Sequence, residues 1–168
     1  IEFIGQGGMG EVYHFYNDRL NRSVAVKVLG VNGRLDLNYK HRFLNEARLQ
    51  SSLQHPNIAA FYDFKEFGDQ LLIFMELVDG ETLETLAERR VYSIEESLKI
   101  FESIVGAIAY VHANGIVHRD IKAENVKVNS AGVPKLLDFG IAKDNQSQGL
   151  TRIGGVIGTP KYLAPEQF

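Results

Sequence analysis

No cysteine occurs among the 168 residues of the chain. Disulfide bridging and thiolate–zinc coordination are thereby excluded, and the absence fits a reducing compartment. Long apolar runs are missing as well. The stretches around Leu71–Met75 and Ile104–Val111 fall far short of the roughly 18 residues that a membrane-spanning helix needs. No basic block stands out, and 18 Lys and Arg against 21 Asp and Glu give a formal charge of −3. Nucleic acid is therefore not an expected partner. There is no internal repeat, no low-complexity tract, no initiator methionine and no signal peptide. Ile1-Glu2-Phe3 reads as the end of a strand and Phe168 follows no helix cap, the pattern expected of a piece of something longer. The remaining bulk numbers, 45% hydrophobic and 23% charged, describe an ordinary globular chain, one domain or one domain with part of a second lobe.

What the chain has in abundance at its start is glycine. Ile4 to Tyr13 reads IGQGGMGEVY, which sets Gly5, Gly7, Gly8 and Gly10 directly ahead of the strand-like Glu-Val-Tyr-His-Phe-Tyr. Glycine weakens a strand, so the bare backbone there must serve something, and phosphate oxygens are the candidate because amides approach them closely only where side chains are absent. The spacing Gly5-x-Gly7-x-x-Gly10 is shared by two unrelated nucleotide-binding architectures. A dinucleotide fold needs its third glycine to open a helix and an acidic residue about 20 positions on. Here Gly10 runs into an alternating aromatic strand. A Walker-type loop would end in Gly-Lys-Ser/Thr, which is absent. A glycine-rich hairpin between antiparallel strands, folded over ATP phosphates, remains.

The alternation predicts strands over 1–5, 11–17 and 23–29, then a loop, then a helix from about 38 to 53 that Pro56 ends. Two more strands follow, over 58–66 and 70–75, around the Gly68-Asp69 turn. From there the period becomes helical. A short helix is expected over 82–90, and Ser93-Ile94-Glu95-Glu96 is a capping box that opens a longer one ending at Asn114-Gly115. Its apolar residues at 94, 98, 101, 105 and 108 form the stripe of a core-facing helix. Short strands over 126–129 and 134–137 precede a Gly-rich loop. The fold class is α+β: a small sheet lobe, a hinge near Glu76–Asp79, and the beginning of a helical lobe.

The motifs then arrive in a fixed order. After the glycine stretch come Val24-Ala25-Val26-Lys27, Glu46 on the first predicted helix, and His118-Arg119-Asp120-Ile121-Lys122-Ala123-Glu124-Asn125. Asp138-Phe139-Gly140 and Ala164-Pro165-Glu166 follow. The whole chain resembles the eukaryotic-like (Hanks-type) protein Ser/Thr kinase superfamily, and GTPKYLAPEQ is similar to its bacterial branch. The resemblance implies a bilobal fold. Residues 1–75 would be an antiparallel-sheet N-lobe with one main helix, 76–79 the hinge, and 80–168 the first part of a helical C-lobe.

By that resemblance Lys27 would hold the α- and β-phosphates and Glu46 would pair with it. Asp120 would take or orient the proton of the substrate hydroxyl, and Lys122 would neutralise the γ-phosphate during transfer. Asn125 and Asp138 would ligate the divalent ion, an oxygen-only set suited to Mg²⁺, with Mn²⁺ as its substitute. Ile4 and the glycines would close over ATP, with Val12 and Ala25 covering the base, Met75 guarding the back pocket, and main-chain groups of Glu76 and Val78 meeting the base edge. Lys127 departs from the family pattern by standing where an aliphatic residue usually forms the pocket floor. Its methylene stem would serve there while the ammonium snorkels outward. Gln50 likewise replaces a frequent apolar residue, and Ala123 a common proline. The alternatives to these roles are a solvated strand lysine, an exposed helix acid and turn-capping polar residues. His118 fits a core-packing role, and His112 and His118 do not share one helical face, so no transition-metal site is assigned.

Residues 138–166 would be the activation segment. Arg119 preceding Asp120 is the arrangement associated with control by phosphorylation, since a phosphate needs an arginine partner. Thr151 is the expected phosphosite, with Ser147 behind it; Thr159, Ala164, Pro165 and Glu166 belong to the substrate-docking end. The implied function is ATP-dependent phosphorylation of Ser/Thr hydroxyls on protein substrates, with autophosphorylation of that segment. The alternative is a pseudokinase-like nucleotide-binding or scaffolding module, or an inactive fragment. A piece of this length would expose the apolar face of its long helix and turn over poorly alone. A cytoplasmic setting, free or as the cytoplasmic part of a membrane-anchored protein, and a kinase–kinase dimer complete the expectations.

Overall fold

The computed structural model describes residues 1–7, 10–18, 21–30, 44, 47–48, 50–137 and 162. The glycine-flanked alternating segments fold as strands β1 (Glu2–Gly7), β2 (Gly10–Asn17) and β3 (Arg22–Leu29), an antiparallel meander. Strands β4 (Phe61–Phe67) and β5 (Gln70–Glu76) pair around Gly68-Asp69. Insertion of β5 beside β3 gives a five-stranded sheet in the order β1-β2-β3-β5-β4. Val24, Ala25 and Val26 are consecutive and all buried, so β3 is covered on both faces. Helical residues 44, 47, 48, 50 and 51 follow the gap after β3. Among them, Ala47 is fully buried against Leu29, Leu71 and Ile73, with Leu44, Phe61, Phe64 and Met75 around that core.

The strand expected from residue 58 begins only at Phe61. Ile58 is drawn elsewhere: it packs with Leu53, Ala107 and Val111 and forms a parallel bridge with Leu136. The Ala59 amide donates to the Leu136 carbonyl at 2.9 Å, and the Leu136 amide donates to the Asn57 carbonyl at 2.8 Å. The chain between the first helical residues and β4 is thus stitched to the lower layer before it rejoins the upper sheet.

That lower layer contains β6 (Glu81–Thr82), α1 (Leu83–Arg89), α2 (Ile94–Ala113), a 3-10 turn over Ala123–Asn125, β7 (Val126–Val128) and β8 (Pro134–Leu136). Its strands form a three-stranded sheet in the order β6-β7-β8. Thr82, expected inside the short helix, is instead its N-cap, accepting from the Thr85 amide at 3.1 Å. Gly80 is obligatory beside this sheet, because a Cβ there would lie 2.1 Å from the Val128 carbonyl oxygen. No helix among the described residues is long and apolar enough to cross a membrane.

The capping box forms in full: the Glu96 amide donates to Ser93 Oγ at 3.2 Å, and the Ser93 amide donates to the Glu96 carboxylate at 2.9 Å. The packed face of α2 differs from the one expected. Of the stripe at 94, 98, 101, 105 and 108, only Ile108 packs inward; Ile94, Leu98, Phe101 and Val105 are exposed. Ile104, Ala107 and Val111, about a quarter of a turn round the helix, are buried instead. Ala107 lets the helix come close to Leu53 and Ile58, and Ile104 reaches Val126 and Leu136. Two apolar stripes therefore run along α2, and the described partners cover one of them.

Candidate active site

The upper half of the site is set by strand register. Gly7 opposes Gly10 at the tip of the β1–β2 hairpin, and Gly5 opposes Val12. A Cβ on Gly10 would fall 2.0 Å from the Val28 carbonyl oxygen, so β2 can enter the sheet only with glycine there. Gly5 by contrast faces open space. Val12 stands opposite Lys27, which in turn stands opposite Ile73. Ala25 opposes Met75, and Val24 opposes Glu76. Period-two alternation puts Ala25, Lys27 and Leu29 on one face of β3. Leu29, Ile73 and Met75 belong to the core that Ala47 covers, so Lys27 lies on the sheet face nearest the helical residues. Ile4 is exposed on β1.

The lower half is a loop held at several points. His118 is buried to 1% exposure. Its Nδ1 accepts from the Asp120 amide at 3.3 Å, which leaves Nε2 as the protonated nitrogen donating to the Leu137 carbonyl at 2.8 Å. Asn125 uses its amide nitrogen twice, donating to the Asp120 carbonyl at 2.8 Å and to Asp120 Oδ2 at 2.9 Å. The Asn125 carbonyl accepts from the Leu137 amide at 2.8 Å. Asp120 is therefore fixed in backbone and side chain from both ends of its loop. Arg119 takes φ of 65°, a left-handed conformation that a non-glycine residue adopts at a cost of about 1–3 kcal/mol. Lys122 Nζ lies 3.6 Å from Glu124 Oε1, and Glu124 Oε2 is buried with no hydrogen-bond partner among the described residues.

The segment that joins the two sheets after Glu76 is gripped from below. Lys127 and Lys135 are cross-strand partners on β7 and β8. Lys135 Nζ lies 2.8 Å from Glu76 Oε1, and Glu76 Oε2 also accepts from the Ala60 amide at 3.0 Å. Lys127 Nζ donates to the Val78 carbonyl at 3.2 Å. The ammonium expected to snorkel outward is thus turned to the hinge, where a buried residue presents a polar acceptor within reach. The Ser130 hydroxyl donates to the Asp79 carboxylate and holds its carboxyl below the usual range, with the Lys127 charge acting in the same direction.

Asn125 fits a divalent ion: both its donations to Asp120 come from Nδ2, so Oδ1 is the atom left to act as a hard oxygen ligand. Gly8, Glu46, Asp138, Ser147, Thr151, Thr159, Ala164, Pro165 and Glu166 lie outside the described residues. Two participants escaped the sequence reading. Glu124 lies between Asp120 and Asn125 but has no role in the sequence reading, and neither has Lys135, although alternation from Val126 and Leu136 places it with Lys127 on one face.

A family profile described as protein kinase domain matches residues 1–168. The chain is 43% identical over 168 residues to the serine/threonine-protein kinase PrkC of Bacillus subtilis, covering 99% of this chain and 26% of PrkC. It is 40% identical over 170 residues to the serine/threonine-protein kinase PknA of Mycobacterium tuberculosis, covering 98% of this chain and 39% of PknA. The crystal structure of the Mycobacterium tuberculosis PknI kinase domain superposes with a TM-score of 0.74 at 35% identity, over 84% of this chain and 59% of that one. The chain thus spans well under half the length of these two curated relatives.

Proposed function

The chain belongs to the protein kinase domain family, and from that premise we propose that it transfers the γ-phosphate of ATP to serine and threonine hydroxyls of protein substrates. The observation that carries the reading is the double tether of Asp120, by the Asn125 amide at 2.9 Å and through its own amide to His118 at 3.3 Å. Phosphoryl transfer asks mainly for positioning and charge neutralisation. A carboxylate held in this way orients the substrate hydroxyl and receives its proton as the oxygen bonds to phosphorus and the bond to the bridging oxygen of ADP breaks. Lys122, on the same loop, supplies positive charge beside the transferred group. In the upper sheet Lys27 takes the α- and β-phosphates, and Glu46 fixes its ammonium. Asn125 and Asp138 would hold a divalent ion, which neutralises charge on the phosphates.

Mg²⁺ is the ion this oxygen set suits, Mn²⁺ its substitute, and Thr151 the expected site of autophosphorylation, with Ser147 behind it. A cytoplasmic setting and pairing of two kinase domains belong to the same proposal, the former supported by the absence of cysteine. The test is incubation of the full-length protein with γ-labelled ATP and Mg²⁺, followed by site mapping. Label on serine or threonine supports the reading; ATP binding without any label assigns the chain to nucleotide-binding scaffolds instead.

A further inference from the structure

Lys127 brings a charge to a place where the small sheet meets the hinge. Val126 and Leu136 point into the core with Ile104, so Lys127 and Lys135, the next residue along on β7 and the one before on β8, leave the opposite face together. Like charges directly across a strand pair repel. Here the hinge takes both: Lys135 on the Glu76 carboxylate, Lys127 on the Val78 carbonyl. The Lys135 charge is matched by a carboxylate at 2.8 Å, whereas Lys127 meets a neutral carbonyl at 3.2 Å. The second ammonium therefore sits at the hinge acceptor itself.

We propose that Lys127 is a specificity-determining residue: by engaging the Val78 carbonyl it makes the nucleotide site discriminate against purines that carry an amino group at C2. The proposal rests on the reading of 76–78 as the segment that meets the base. The kinase resemblance implies that N1 of the base meets the Val78 amide and its 6-amino group the Glu76 carbonyl, an orientation that turns C2 toward the Val78 oxygen. Adenine has only a C–H there and asks for nothing. A 2-amino group is a donor, and a free carbonyl would reward it. With the Lys127 ammonium on that oxygen, the added donor meets a competing donor and a positive charge.

The experiment is competition binding of ATP and 2-aminoadenosine triphosphate to the full-length protein, with Lys127→Met and Lys127→Arg beside it. Methionine keeps the apolar stem and removes the charge. The wild type should bind the 2-amino nucleotide about tenfold more weakly than ATP, the worth of roughly one hydrogen bond. Lys127→Met should bring the ratio to one or invert it, and Lys127→Arg should restore discrimination. A general loosening of the site moves both affinities together and leaves the ratio alone. An unchanged ratio in Lys127→Met, with ATP still bound, overturns this inference and spares the kinase reading. Failure of the wild type to bind either triphosphate overturns both.

Discussion

Lys135 and Glu76, separated by 59 positions in sequence, form an ion pair at 2.8 Å that joins the last strand of the small sheet to the last residue of β5 in the large one. The two side chains are 16% and 25% exposed, and Glu76 keeps a second partner in the Ala60 amide. Removing the lysine leaves a carboxylate largely shielded from water with half of its partners. Lys135→Met should therefore cost about 1–2 kcal/mol, after discounting for residual solvent screening. A thermal melt checks it, with a fall of roughly 3–6 °C expected for a domain of this size. The Glu76→Gln, Lys135→Met double variant should lose less than the sum of the two singles.

Gly10 and Gly5, on the two strands of the glycine-rich hairpin, separate structure from ligand contact. Gly10→Ala puts a methyl 2.0 Å from the Val28 oxygen and forces β2 away from β3. Destabilisation of at least about 2 kcal/mol is expected by denaturant unfolding. Gly5→Ala meets nothing within 4 Å, so its stability should stay within about 0.5 kcal/mol of wild type. Its KM for ATP should still rise, because the new methyl stands where backbone would approach phosphate.

The start of α2 gives a pH signature. The Ser93 amide and hydroxyl hold the Glu96 carboxyl below its usual range, and the Arg90 charge acts the same way. A depressed folded value means that the contribution is fully present above the ordinary glutamate range, near about 4.3, and is lost as pH falls through the lower folded value. Ser93→Ala should cost about 1 kcal/mol at neutral pH. Glu96→Gln removes the titrating group instead: unfolding measured from pH 6 downward should show that variant and wild type converging in acid, whereas the Ser93→Ala difference, which comes from a bond to a neutral amide, persists.

His118 makes a fourth case. Replacement by phenylalanine preserves bulk in a site 1% exposed but leaves the Leu137 carbonyl and the Asp120 amide without their partner. A loss of about 2–3 kcal/mol is expected from two unsatisfied backbone groups. The turnover number should fall with KM for ATP little changed, since Asp120 is displaced while the upper half of the site is not. Steady-state kinetics distinguish that from a uniform loss.

Much of this was legible because it is local chemistry. The glycine hairpin, the capping box at Ser93 and Glu96, and the turn at Gly68-Asp69 are each written in a few adjacent residues. The closeness of Asp120 and Asn125 was legible for the same reason: they lie in one short stretch and contact each other directly. What sequence could not supply depends on which distant surfaces meet. The strand expected at Ile58 was displaced because Leu136, far along the chain, claims its backbone. The buried face of α2 was chosen by Leu53, Ile58 and Val126 rather than by the helix's own most conspicuous stripe. The inward turn of Lys127 required knowing that Val78 lies beside β7. Left-handed backbone at Arg119 has no signature in the residue type at all.

The central claim concerns Asp120, and the most direct test is single-turnover transfer of the γ-phosphate from ATP by the full-length protein, wild type beside Asp120→Asn. Removing the proton acceptor while keeping its shape should slow transfer about 10²–10⁴-fold with ATP binding retained. Equal rates in the two proteins, or no transfer by either while ATP stays bound, would contradict the account.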